Sequence, residues 1–302
     1  MEKLRLTVYS DPVCIWCWGS EPLMRALETH YGKLLSVQYV MGGLIKHIDD
    51  FYDPQNAIGD VASEEFNKQV TRHWEEAQHI HGMPVRADLF DLYSDEYPST
   101  YPQNIAYKAA ELVNPDLAPI YLYRMRKAVS TQGKAISHED VQIELASEVG
   151  LEISAFIQHL KDGSAEKAFH KDLAKTQAAG VTGFPTLEIA YKDQSLLLNG
   201  YRSFTEIASV IDYISKGAVK PREVHLSKDN LVELLRKHPV MTLKEVQIAF
   251  DIPTIAQTEV LLEDWFKDNT ISKETVGQSY FISLSHPQKS YSCDPETGIC
   301  HF

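Results

Sequence analysis

The sequence is short of cysteine, of cationic charge and of long apolar runs, and each shortage narrows what it can be. Its 302 residues hold four cysteines, too few for a fold built on disulfides. They come as two close pairs, Cys14 with Cys17 and Cys293 with Cys300, and in a reducing compartment such pairs are catalytic more often than structural. Lys and Arg total 29 against 42 Asp and Glu, a formal net charge of −13. That balance argues against nucleic acid or an anionic membrane as the main partner. No apolar run approaches the roughly 20 residues that cross a bilayer. Lys3 and Arg5 are followed by Asp11 before a signal-length apolar region forms, so a cytoplasmic protein is expected. The length suffices for a sizeable core and an appended unit.

What is present is organised around Asp11-Pro12-Val13-Cys14-Ile15-Trp16-Cys17. Leu4 to Tyr9 alternates as a half-buried strand does, Asp11-Pro12 breaks it, and Leu23, Met24, Leu27 and Tyr31 mark one face of a following helix. The dithiol therefore falls at a strand-to-helix junction, where unpaired N–H groups favour an anion. Cys14 on the open first turn is expected to be the thiolate, and Cys17, three residues on, to lie beneath it and resolve a mixed disulfide formed there. The dipeptide Ile15-Trp16 carries no charge, so it sets neither the strength of the thiolate nor the direction of exchange. A zinc site drawing on Cys293 and Cys300 is disfavoured by their spacing of seven and by the lack of a zinc-knuckle glycine pattern. No metal and no bound cofactor is assigned.

Leu35 to Met41 reads as a second strand closed by Gly42-Gly43, completing a βαβ unit, and Pro22 is expected to kink the intervening helix. From about residue 44 to about 175 the pattern is helical throughout, with Ser137 the expected N-cap of one helix. His73, His79 and His81 cluster in sequence, but the first two do not share a helix face and no carboxylate or cysteine completes a metal set. Tyr97, Pro98, Tyr101 and Pro102 are read as loop packing. Strands return at Thr182 to Ala190 and Ser195 to Tyr201, paired antiparallel, before a helix from Phe204 to Ile214 capped by Ser203.

The Cys14-Ile15-Trp16-Cys17 turn, the helical insertion after the second strand and the Gly183-Phe184-Pro185-Thr186 loop together resemble the DsbA family of thioredoxin-fold thiol–disulfide oxidoreductases, in particular its FrnE-like branch. The resemblance covers about residues 4 to 217. It implies an α/β thioredoxin-like fold and a cis Pro185 facing the redox pair, with the Phe184 backbone free for strand-like pairing to a client and Trp16, Phe184 and Pro185 as substrate contacts. The partners it implies are cysteine-containing protein clients or a thiol reductant. Two other activities occur among relatives of this fold: a non-catalytic adaptor of the SpxH type that presents a client to a protease, and a glutathione-dependent small-molecule isomerase or transferase. The latter places Ser where this chain has Cys14.

The expected domain plan is a DsbA-like unit over 1–217, a linker over 218–222, and a winged-helix-like appendage over 223–302. The helix expected to be its third carries Glu259, Glu263, Asp264 and Asp268 against Lys267, a surface that repels phosphate. The tail from Ser292 has a turn-forming centre that can bring Cys293 and Cys300 together. They are read either as a second redox pair exchanging with the first or as a structural clip.

Overall fold

The computed structural model describes residues 2–286, together with the backbone of residues 292–293 and 300–301. Strand β1 (Leu4–Ser10) leads into a one-turn helix α1 (Ile15–Gly19) and then α2 (Glu21–Tyr31), and β2 (Leu35–Met41) lies parallel to β1. Pro22 does not kink one continuous helix. The chain breaks at Ser20, and proline opens α2 in its first turn, where its missing N–H is unpaired in any case. The insertion is not wholly helical either. A two-residue hairpin, β3 (Tyr52–Asp53) and β4 (Ile58–Gly59), precedes α3 (Ser63–His81), α4 (Tyr101–Val113), α5 (Ala118–Gln132), α6 (Glu139–Glu148), α7 (Ile153–Lys161) and α8 (Ser164–Ala178). His138, not Ser137, occupies the N-cap of α6, and the Ser137 hydroxyl is buried without a partner. Tyr97 stacks on His138 with ring centroids 4.1 Å apart, and Tyr101 packs edge-on against Phe169, so that loop serves packing.

The chain then re-enters the sheet. β5 (Thr186–Tyr191) runs antiparallel to β1, and β6 (Gln194–Asn199) pairs with β5, giving the order β2-β1-β5-β6. The strand begins at Thr186, four residues later than the β-forming pattern from Thr182 suggests. Pro185 lacks a ladder donor, the Phe184–Pro185 bond is cis, and Thr186 Oγ1 turns back to donate to the Gly183 carbonyl at 2.7 Å. Helix α9 (Phe204–Ser215) starts on a reciprocal Ser203–Glu206 capping box and buries Ile207, Ile211 and Ile214. One hydrophobic cluster joins this sheet to the insertion.

A second cluster lies in α10 (Lys228–Lys237), β7 (Met241–Thr242), α11 (Leu243–Ala249), α12 (Ile255–Lys267), β8 (Ile271–Val276) and β9 (Ser279–Leu284). This order, with a three-stranded antiparallel sheet β7-β9-β8, has the winged-helix outline. The appended unit does not hang free. Phe281 belongs to the first cluster and meets Trp18 at 6.3 Å, while the Arg222 N–H donates to the His30 carbonyl at 2.8 Å. Backbone pairing sets Cys293 opposite Cys300; their side chains lie outside the described residues.

Candidate active site

The loop between β1 and α1 is held by one carboxylate. Asp11 is fully buried, and its oxygens accept from the Val13 N–H (2.8 Å), the Leu44 N–H (2.7 Å), Thr100 Oγ1 (2.8 Å) and Asn104 Nδ2 (2.7 Å). Burial raises its pKa, and those four hydrogen bonds oppose the rise. Asp11, read from sequence as a strand breaker, thus ties the CxxC turn to the β2 exit and to α4.

Cys14 is the N-cap of α1. Its sulfur accepts the Cys17 N–H at 3.2 Å, and its thiol faces the Phe184 carbonyl at 3.5 Å across the cis-proline turn. The two thiols are unbridged. Cys14 is only 4% exposed, yet it lines a groove of about 740 Å³ with Trp16, Phe51, Tyr52, His73 and Phe184. Trp16, Phe184 and Cys14, singled out from sequence, are therefore neighbours around one opening, whereas Pro185 is buried and does not line it.

Of the three histidines that cluster in sequence, His73 lines this opening and His81 is buried beside Trp16. Trp16 has His73 at 6.1 Å, His81 at 6.0 Å and Tyr201 at 6.0 Å, ring centroid to ring centroid. His79 is exposed and takes no part. The His81 imidazole lies under α1, where an added Cβ on Gly19 would stand 2.6 Å from its ring, so glycine is required for this approach. Burial, with Lys244 of α11 adding to it, depresses the His81 pKa to about 4 and keeps the ring neutral. Its Nδ1 accepts the Met83 N–H at 3.0 Å.

Behind the pair the surroundings are ionic. Arg126 of α5 is buried; it donates to Ser10 Oγ and, at 2.5 Å, to Glu21 Oε1. Its guanidinium and the Ser10 hydroxyl bear on Cys17. Against the effect of burial, the neighbouring Cys14 thiol, Arg126 and Ser10 pull the Cys17 pKa down, while burial, Cys17 and the Asp11 carboxylate push Cys14 up. This reverses the expectation that Cys14 is the more acidic sulfur. The helix that follows Cys14 is one turn long and supplies little dipole, and Arg126 lies on the Cys17 side of the pair. Of the two sulfurs, Cys17 is therefore the one whose surroundings favour ionisation.

A dithiol at a strand-to-helix turn, opposed by a cis-proline loop on a β2-β1-β5-β6 sheet, defines a thioredoxin-type site. The thioredoxin family model matches residues 8–209, and the chain belongs to that family. Among curated relatives, the ClpXP adapter protein SpxH of Bacillus subtilis is 23% identical over 302 residues, covering 97% of this chain and 94% of its own. The SpxH of Halalkalibacterium halodurans is 23% identical, covering 83% of this chain and 79% of that protein. Among solved structures, the cytosolic disulfide reductase DsbM of Pseudomonas aeruginosa superposes with a TM-score of 0.51 at 21% identity, covering 70% of this chain and 93% of that one. It shares the fold. Among the described residues, no helix is long and apolar enough to cross a membrane.

Proposed function

We propose that the protein is a cytoplasmic thiol–disulfide oxidoreductase acting on cysteine-containing protein clients, with Cys14 the attacking sulfur and Cys17 the resolving one. The observation that carries this reading is the placement of Cys14 at the groove, facing the Phe184 carbonyl, with Cys17 behind it against Arg126. As the Cys14 sulfur attacks a client disulfide it gives up its proton to the departing client sulfur, the client S–S bond breaks, and one client thiol leaves. Cys17 then attacks the Cys14 sulfur of the mixed disulfide. The second client sulfur departs with the Cys17 proton, and the enzyme is left as the disulfide. Two electrons have moved from enzyme to client, and the reverse sequence oxidises a client dithiol. A lowered Cys17 pKa makes it a good leaving group in that reverse direction. The Phe184 backbone and Trp16 position the client strand.

The test is capture. With Cys17→Ala, a client attached to Cys14 should persist as a mixed disulfide detectable by non-reducing electrophoresis and mass spectrometry. Absence of any Cys14 adduct, with Cys14 alkylatable in the same sample, would sink the assignment.

A second reading has its own support, because relatives named as ClpXP adapter proteins align over nearly the whole chain, appended unit included. On that reading the protein presents a client to a protease. The double variant Cys14→Ala, Cys17→Ala separates the two, since an adaptor retains client binding without either sulfur. The Cys293–Cys300 pair enters here as a proposed second redox pair, and Cys293→Ser with Cys300→Ser should then alter turnover.

A further inference from the structure

Arg126 is one end of a buried chain of charges that crosses from the redox pair into the appended unit. Glu21 takes Arg126 on Oε1 at 2.5 Å and Arg25 on Oε2 at 2.7 Å. Arg25 in turn donates to Glu245 of α11 at 3.2 Å and lies 2.9 Å from His238, which meets Glu28 at 2.5 Å. Glu245 is completely buried and is fixed three ways besides: by the Tyr123 hydroxyl at 2.7 Å, by the Thr242 N–H at 2.7 Å, and by its own N–H on Thr242 Oγ1. The side chains of Arg126, Glu21, Arg25 and Glu245 are all under 7% exposed.

Such a chain is poor evidence of stability, because desolvating each ion offsets most of what its partners return, and apolar residues of similar volume would hold the same elements together. Its placement suggests another use. It ends at Arg126, which holds Ser10 and bears with it on Cys17, the inner of the two buried sulfurs whose charge changes during thiol–disulfide exchange, and Arg126 Nε is a buried donor with no partner.

We propose that Arg126 is the positioning charge for the Cys17 sulfur, and that Glu245 of the appended unit sets how much of that charge Cys17 receives, so that the redox state of the pair and the seating of the appended unit are linked. This rests on the oxidoreductase reading above. When Cys17 of the reduced pair is ionised, its thiolate shares Arg126 with Glu21. On oxidation to the disulfide the thiolate is gone and Arg126 turns wholly to Glu21. Glu21 then holds Arg25 less strongly, and Arg25 is left to Glu245. The oxidised protein should therefore seat α11 more firmly, and by reciprocity whatever weakens Glu245 should favour the dithiol.

The test equilibrates the full chain with mixtures of reduced and oxidised glutathione, two molecules of the thiol giving one dithiol protein and one glutathione disulfide. Arg126→Gln should move the equilibrium about tenfold toward the protein disulfide, about 30 mV, and raise the pH at which thiolate absorbance develops. Arg126→Lys should recover part of both. Glu245→Gln, which preserves the contacts of the cap, should move the equilibrium two- to threefold the other way. The unsubstituted protein supplies a check that no folding defect can confuse: amide exchange in α11 should be at least twofold slower in the oxidised form. Unchanged equilibria in Arg126→Gln and Arg126→Lys, a Glu245→Gln shift that is absent or of the same sign, or equal α11 exchange in the two redox states would each overturn the linkage while leaving the oxidoreductase reading standing. A wild-type protein that never exchanges with glutathione or any client disulfide would remove both.

Discussion

The two sulfurs stand three residues apart in surroundings that have almost nothing in common. Cys14 looks onto a groove with Trp16, Phe51 and Phe184 around it, the polar side chains of Asp53, Gln55 and Asn56 farther along, and the Phe184 carbonyl facing it. Cys17 looks inward on Ser10 and the Arg126–Glu21 ion pair. The difference teaches a division of labour. A surface without fixed cations cannot tune a thiolate strongly, but it can admit a client chain. A buried arginine admits nothing and acts only through its field, which the low dielectric there strengthens.

Removing one sulfur at a time breaks the comparison most sharply. Cys14→Ala should lower turnover of a dithiol–disulfide exchange assay by at least about a thousandfold, since among the described residues no other thiol lines the groove. Cys17→Ala should lose steady-state turnover as fully, yet keep a single round of attack, seen as stoichiometric mixed disulfide. Equal trapping by the two variants would show that the division does not exist.

Asp11 belongs to neither surface and supports the turn on which both sulfurs sit, so its loss should be felt as stability before it is felt as rate. Asp11→Ala strands the Val13 and Leu44 N–H groups and the Asn104 amide in the interior. The expected loss is about 4 kcal/mol, from several buried donors at roughly 1–3 kcal/mol each. Denaturant unfolding checks it, and a loss under about 1 kcal/mol would mean that solvent reaches the turn.

These examples show how far the sequence could be read. The strand–CxxC–helix order and the Phe184-Pro185 loop were legible because each is local: periodicity, a breaker and a spacing. The long-range partners were not. Arg126 carries a signal that could have been used, since it falls on the buried stripe of α5 with Leu122, Met125 and Val129, and a charge on an apolar stripe asks for a partner. Nothing in the chain says that the partner is Glu21, 105 residues away. His73, His79 and His81 make no metal set by sequence, because the first two do not share a face and no carboxylate or cysteine completes it, but the place that His73 and His81 take, flanking Trp16, depends on how α3 crosses α1. The Pro22 and Ser137 expectations failed at helix ends, where one residue of shift changes which group is capped.

The floor beneath Trp16 offers a pH test of the apolar side. His81 titrates near 4 when folded against about 6.5 in an unfolded chain. A depressed folded pKa means that the unfolded state takes up the proton first. The contribution to stability is thus whole above about pH 6.5 and falls away as pH drops through 4, amounting to about 3 kcal/mol. In His81→Asn, whose side-chain oxygen can still accept the Met83 N–H, stability measured between pH 7 and 4 should decline less steeply than in wild type. Parallel curves would mean that His81 is open to water and does not belong to the dry side.

The smallest expected effect concerns the far wall of the groove. Gly42 lies against the Phe184 ring, and a Cβ added there would fall within it. Gly42→Ala therefore has to swing Phe184 away, at an overpacking penalty of about 1–3 kcal/mol, and with it the carbonyl that faces Cys14. Because the displaced group belongs to the client-binding side, the variant should raise KM for a peptide disulfide several-fold while leaving the glutathione equilibrium of the pair unchanged. That equilibrium is set from the Cys17 side, by Arg126. A shift in the equilibrium as large as that of Arg126→Gln would mean that the groove and the buried charges are not separable, and the contrast between the two sulfurs would have to be given up.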